Sequence, residues 1–167
     1  MSEEHLIRTT VNGEERELLV SPRETLAEVL RERLRLTGTH VSCQSGICGV
    51  CTVVVDGDAV RACLTLAVQA DGCEVRTVES LGSVDEPSEL QRAFIEERAL
   101  QCGFCTPGFL MLASWFLRVR PRATDEELLE AMSSNLCRCT GYRGIVNAVR
   151  KVRDTAAARA QTQEESS

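Results

Sequence analysis

The sequence has no basic surplus. Its 19 lysines and arginines are outnumbered by 25 aspartates and glutamates, for a formal charge of −6, and neither sign is gathered into a block. Nucleic acids and anionic membrane surfaces are bound through basic stripes, so both classes of partner are disfavoured. Long hydrophobic runs are missing too. The longest strongly apolar stretch, Phe109 to Leu117, falls far short of the ~20 residues that cross a bilayer. Met1 to Arg8 shows no positive segment followed by an apolar core, from which we expect no secretory signal and a soluble cytoplasmic protein. Histidine is scarce, with His5 in a polar terminus and His40 alone, which argues against a Rieske-type centre needing two histidines on one iron. No phosphate-cradling glycine-rich loop precedes a helix, and no nucleophile–base pair stands out. No substrate site is legible on this chain.

Cysteine is what the chain has in excess, with nine in 167 residues. In a chain that is not exported these thiols are expected to stay reduced and to serve as metal ligands. Cys43, Cys48 and Cys51 share one glycine-bearing loop, and Cys63 follows twelve positions later. That is C-x4-C-x2-C and a later Cys, the spacing of plant-type [2Fe–2S] ferredoxins. Two irons and two sulfides form a flat rhomb that needs two thiolates at each end. A loop carrying three of them must wrap closely, and Gly46 and Gly49 can adopt the backbone this demands. A tetrahedral zinc more often uses two short Cys pairs.

A second set, Cys102-x2-Cys105 and Cys137-x-Cys139, forms two close pairs at helix junctions. A helical hairpin between them can bring four sulfurs to one end of a bundle. Four thiolates hold either zinc or a [2Fe–2S] cluster, and spacing leaves both open, although C-x-C is tight for a single zinc. A thioredoxin-like reading of Cys102-Gly103-Phe104-Cys105 lacks the βαβ context it requires. Cys73 has no partner at cluster spacing and is expected to be a small buried apolar residue.

The pattern between the cysteines predicts two halves. Leu6 to Val11 and Glu17 to Val20 read as strands joined by Asn12-Gly13, followed by a helix over Leu26 to Leu34 capped by Thr25. Thr52 to Val55 and Ala59 to Arg61 form a second hairpin, and Glu74 to Val78 one more strand. This is a small α+β domain over 1–79. Residues 80–87 read as a linker. Over 88–160 four helices are expected: one capped by Ser88 with Leu90, Phe94 and Ile95 inward, one over Phe109 to Arg118, one from Thr124 to Ser133, and one from Tyr142 to Ala158. Residues 161–167 are expected to be disordered.

Taken together, Gly38-Thr39-His40, the loop Cys43 to Cys51, Gln101 to Gly108 and Asn135 to Tyr142 resemble the iron–sulfur small subunit of the xanthine oxidase family of molybdenum hydroxylases. The resemblance spans roughly residues 5 to 155, with both halves in the family's order. It implies a plant-ferredoxin-like (β-grasp) domain followed by a four-helix bundle, each holding one [2Fe–2S] cluster. The first would be held by Cys43, Cys48, Cys51 and Cys63, and the second by Cys102, Cys105, Cys137 and Cys139. Gln101 and Cys139 match residues that contact the molybdenum–pterin cofactor, Gln101 otherwise being a polar helix-end residue that satisfies backbone groups. Ser42 stands where the family usually has glycine, and would be strained if a positive φ is needed there. The implied partners are a large molybdopterin subunit and a medium FAD subunit, in a heterotrimer or a dimer of heterotrimers. Electrons would run singly from molybdenum through both clusters to FAD. Two other functions fit the cysteines alone: a free-standing two-cluster electron carrier and a structural zinc protein.

Overall fold

The computed structural model describes residues 4–164, without the side chains of residues 163 and 164. Strands β1 (His5–Val11) and β2 (Glu14–Val20) pair antiparallel with Val11 opposite Glu14. Asn12 and Gly13 close the hairpin at φ 52° and 85°, the doubly left-handed turn that matches strand twist. Asn12 does more than turn the chain. Its amide exchanges two 2.8 Å hydrogen bonds with Thr77, fixing the hairpin to the end of the last strand.

Thr25 and Glu28 form a reciprocal cap for helix α1 (Leu26–Glu28). The helix then widens over Val29–Arg33, where Leu34 N–H reaches back to Val29 C=O at 3.0 Å. Arg31 donates to the carbonyls of Thr37 and Thr39 at 2.8 and 2.9 Å, tying the approach to the cysteine loop. Strands β3 (Thr52–Val55), β4 (Asp58–Arg61) and β5 (Glu74–Arg76) complete a five-stranded sheet of order β2-β1-β5-β3-β4. The central β1–β5 pair is parallel and its neighbours are antiparallel. Leu26 and Leu30 bury against Val53 and Val75, so one helix is held across the sheet, as the β-grasp expectation requires.

The other half is made of helices α2 (Glu89–Glu96), α3 (Thr106–Val119), α4 (Asp125–Ser133) and α5 (Arg143–Glu164). Phe94, Phe109, Leu128, Met132 and Ile145 fill its core. Helix α3 is apolar nearly all round because it is covered twice, by the bundle and by β3 and β4. Gly108 makes the close approach feasible: a Cβ there would lie 2.6 Å from Gly49 O and 2.8 Å from Val50 Cα.

Several details depart from expectation. Ile95 is 64% exposed, since α2 turns only Leu90, Ala93 and Phe94 inward. Strand β5 stops at Arg76, and Val78–Leu81 forms a 3-10 turn whose Val78 and Leu81 rest on the helical core. Helix α5 passes Ala158 and runs to Glu164, through the alanine-rich Ala156 to Ala160 that favours helix. Residues 165–167 of the expected disordered tail lie outside the described residues.

Candidate metal centres

The first three thiols occupy the loop between α1 and β3. Gln44, Gly46 and Gly49 hold positive φ (53°, 76° and 71°) and curl the backbone, so that the N–H groups of Ser45 and Cys48 both donate to Cys43 Sγ at 3.4 Å. These contacts, that from Cys48 foremost, lower the Cys43 thiol to about 6. Ser42 is not among the positive-φ residues, so its departure from glycine carries no backbone strain. Cys63 follows β4, where Ala62 N–H bonds Cys51 C=O at 3.2 Å and sets the two cysteines side by side. Both are buried, while Cys43 is exposed and Cys48 half-buried. Burial first, then the neighbouring Cys63 and Cys48, pushes the Cys51 thiol up to about 11.

The second four converge at one end of the bundle. Cys102 and Cys105 lie on the turn before α3, and Cys137 and Cys139 on the turn between α4 and α5. Cys102 and Cys139 are exposed, with their sulfurs 3.6 Å apart. Cys105 and Cys137 are half-buried neighbours. Burial, and then Cys137, pushes the Cys105 thiol up to about 12. Burial works against ionisation of Cys137, but the hydroxyl of Thr140 (3.1 Å) and its N–H (3.4 Å) bring that thiol below its ordinary value. The Tyr142 hydroxyl accepts from Cys137 N–H and donates to Asn135 C=O, each at 3.0 Å, and so shapes the Cys137–Cys139 turn from within.

All eight thiols are free, and they are arranged as pairs. Each set has an outer pair and an inner pair, which is what a two-iron rhomb asks of four ligands. The 3.6 Å separation of the Cys102 and Cys139 sulfurs suits two ligands on one metal, since metal–sulfur bonds of ~2.3 Å in a tetrahedron give an edge of about 3.8 Å. The donors thus fit a [2Fe–2S] cluster in each half.

The comparisons with known proteins agree with this geometry. A 2Fe-2S iron-sulfur cluster binding domain matches residues 9–76, and a [2Fe-2S] binding domain matches residues 77–150. Caffeine dehydrogenase subunit gamma of Pseudomonas sp. (strain CBB1) is 50% identical over 154 residues, covering 90% of this chain and 92% of its own. Nicotine 6-hydroxylase small subunit of Paenarthrobacter nicotinovorans is 55% identical over 143 residues, 86% of each. The chain belongs to the iron–sulfur small subunits of the xanthine oxidase family of molybdenum hydroxylases. The crystal structure of quinoline 2-oxidoreductase from Pseudomonas putida 86 superposes on it with a TM-score of 0.88 at 46% identity, covering 95% of this chain and 98% of that one. Members of this family serve as subunits of dehydrogenase and oxidoreductase complexes, and an electron-transfer role follows for this one.

Other residues of the small subunit acquire roles that no sequence pattern announced. Leu136 N–H donates to Cys48 C=O at 2.9 Å, so the loop of the first thiol set is bonded directly to the residue preceding Cys137. Arg61 donates to Thr52 Oγ1 and, at 2.9 Å, to Ser134 C=O, clamping the halves beside that contact. His40 stacks on Phe104 with centroids 4.9 Å apart, its Nδ1 2.7 Å from the Phe104 carbonyl. Gln101 is exposed beside Cys102 and makes no hydrogen bond within the described residues, so it does not satisfy a helix end. Arg138 is exposed and forms no ion pair among the described residues. Cys73 is half-buried rather than buried, and Asp56, then partial burial, raises its thiol.

Proposed function

We propose that this chain is the internal wire of a molybdenum hydroxylase, carrying single electrons from a large molybdopterin subunit through two [2Fe–2S] clusters to FAD on a medium subunit. Cys43, Cys48, Cys51 and Cys63 hold the first cluster, and Cys102, Cys105, Cys137 and Cys139 the second. When bound, each cluster accepts and releases one electron at a time, which divides two-electron substrate oxidation into steps the flavin can collect. The chain's own residues position the thiolates, shield the inner pairs and supply N–H donors to sulfur. The domains run over 1–79 and 88–160 with 80–87 between them, and the complex is a cytoplasmic heterotrimer or its dimer.

One observation carries this reading: a backbone hydrogen bond, Leu136 N–H to Cys48 C=O, joins the loop of the first thiol set to the residue preceding Cys137 of the second, in a chain whose cysteine pairs reach the surface at Cys43 and at Cys102 and Cys139. Gln101 beside the latter pair is free to meet a pterin, while Cys43 and Cys48 are left for the flavin side. The test is composition. The native complex purified without oxygen should hold about four iron and four labile sulfide per copy of this chain, show two distinct EPR signals when reduced, and retain a molybdenum chain and a flavin chain. A colourless zinc protein, or a monomer free of both partners, would overturn it.

A further inference from the structure

Asn135 is the most completely enclosed polar side chain between the two candidate centres. It is 1% exposed, and neither Nδ2 nor Oδ1 has a hydrogen-bond partner among the described residues. Its amide sits in the space left by the missing side chain of Gly49, between Cys48 and Cys51. A Cβ on Gly49 would fall 1.9 Å from Asn135 Oδ1 and 2.4 Å from its Cγ.

The backbone around this amide is already paired. Asn135 N–H bonds Met132 C=O at 3.3 Å, its C=O accepts from Tyr142 at 3.0 Å, and Leu136 N–H takes Cys48 C=O at 2.9 Å. Ser134 C=O accepts from Arg61 at 2.9 Å, and Gly49 C=O accepts from both N–H (3.1 Å) and Oγ1 (2.6 Å) of Thr52. These bonds fix where the side chain lies and occupy the nearby carbonyls. A buried amide is seldom left without a partner, and one held this firmly cannot turn toward water. Cys48 and Cys51 flank Gly49 in the chain, so their sulfurs are the acceptors that the adjoining loop can offer this amide.

Resting on the function proposed above, we infer that Asn135, a residue of the helical half, donates an Nδ2–H hydrogen bond to a sulfur of the cluster held in the other half and so raises that cluster's reduction potential. Reduction adds a negative charge shared by the sulfurs, and a donor aimed at them stabilises the reduced form more than the oxidised one. Asn135 is therefore a positioning and tuning residue, and it makes the first cluster's potential depend on correct docking of the two halves.

The experiment is an EPR-monitored redox titration of the purified holoenzyme. Asn135→Leu keeps the volume and removes the donor; Asn135→Asp keeps the shape and removes the Nδ2–H. Each should shift the first cluster's one-electron equilibrium about tenfold toward the oxidised form, a midpoint lower by ~59 mV, with the second cluster moving less. Unchanged midpoints in fully loaded variants, or a shift confined to the second cluster, would overturn the inference. Should both variants fail to load, the reduced wild-type enzyme labelled with 15N in asparagine side chains decides it. A hyperfine-coupled 15N with exchangeable protons at the first cluster is expected, and its absence overturns the inference. A wild-type enzyme lacking both iron–sulfur signals would instead remove the reading on which Asn135's role rests.

Discussion

At the scale of single residues, the eight cysteines proposed as ligands are not chemically alike before any iron arrives. Cys43 is lowered to about 6 by N–H groups of its own loop, whereas Cys51 and Cys105 are held up to about 11 and about 12 mainly by burial. The thiolate is the nucleophile, so above pH 6 Cys43 is largely ionised while the other two remain protonated until far higher pH. In iron-free, reduced protein at pH 7, iodoacetamide should therefore label Cys43 first and Cys51 and Cys105 last, as read by peptide mapping. Equal labelling of the three would show that the loop is not preformed. The two cysteine sets were legible in the sequence because number and spacing are properties of the covalent chain. The roles of Arg61 and Asn135 were not, since the Arg61–Ser134 bond and the seat of Asn135 against Gly49 join segments far apart in sequence and leave no periodicity; the Tyr142 bonds to Cys137 and Asn135 are local but belong to an irregular turn with no period to read. Ile95 was misplaced for a related reason: its helix has only eight residues, and a single apolar residue at the edge of so short a stripe can fall on either side.

Elements carry the next level of constraint, and helix α3 is the one that joins the halves. Its Gly108 lies against the backbone of Gly49 and Val50, where no flexible side chain can yield. Gly108→Ala should cost about 1–3 kcal/mol through overpacking, seen in denaturant unfolding followed by visible absorption, with iron lost from both halves together. Retention of wild-type stability would mean that α3 can withdraw from the loop freely. Helices α4 and α5 are fastened differently. Asp125 at the start of α4 pairs with Arg150 (3.0 Å) and Arg153 (2.9 Å), and its carboxyl lies below the usual range, with Arg150 the larger influence. A depressed carboxyl stabilises the fold above its unfolded value, and that contribution disappears as pH falls through the native one. Asp125→Asn should thus melt slightly lower than wild type at pH 7, with the gap closing in acid and in high salt. A gap that persists below pH 3 would assign the effect to packing or to the helix cap. Hairpins and caps were readable because Asn12-Gly13, Thr25, Ser88 and Thr124 act locally. The continuation of α5 to Glu164 was not anticipated, since polar composition hid good helix formers.

For the molecule as a whole, the decisive property is order. Two one-electron carriers in series and two in parallel contain the same cysteines, and only removal of one at a time separates them. Cys48→Ala should abolish the first cluster, and Cys102→Ala the second, each within the assembled enzyme. If electrons enter at the helical half, substrate added to Cys48→Ala still reduces the surviving second cluster while the flavin stays oxidised. In Cys102→Ala, substrate reduces neither the surviving first cluster nor the flavin, although dithionite reduces both. Stopped-flow absorption and freeze-quench EPR read these four outcomes directly. The reverse pattern, a first cluster reduced by substrate in Cys102→Ala, would place the entry point at Cys43. Flavin reduction at the wild-type rate in either variant would mean that electrons bypass this chain. The Leu136–Cys48 bond predicts the series arrangement because it is made between the cluster-binding loops themselves, so that the two centres are neighbours through the backbone and not merely housed in adjacent domains.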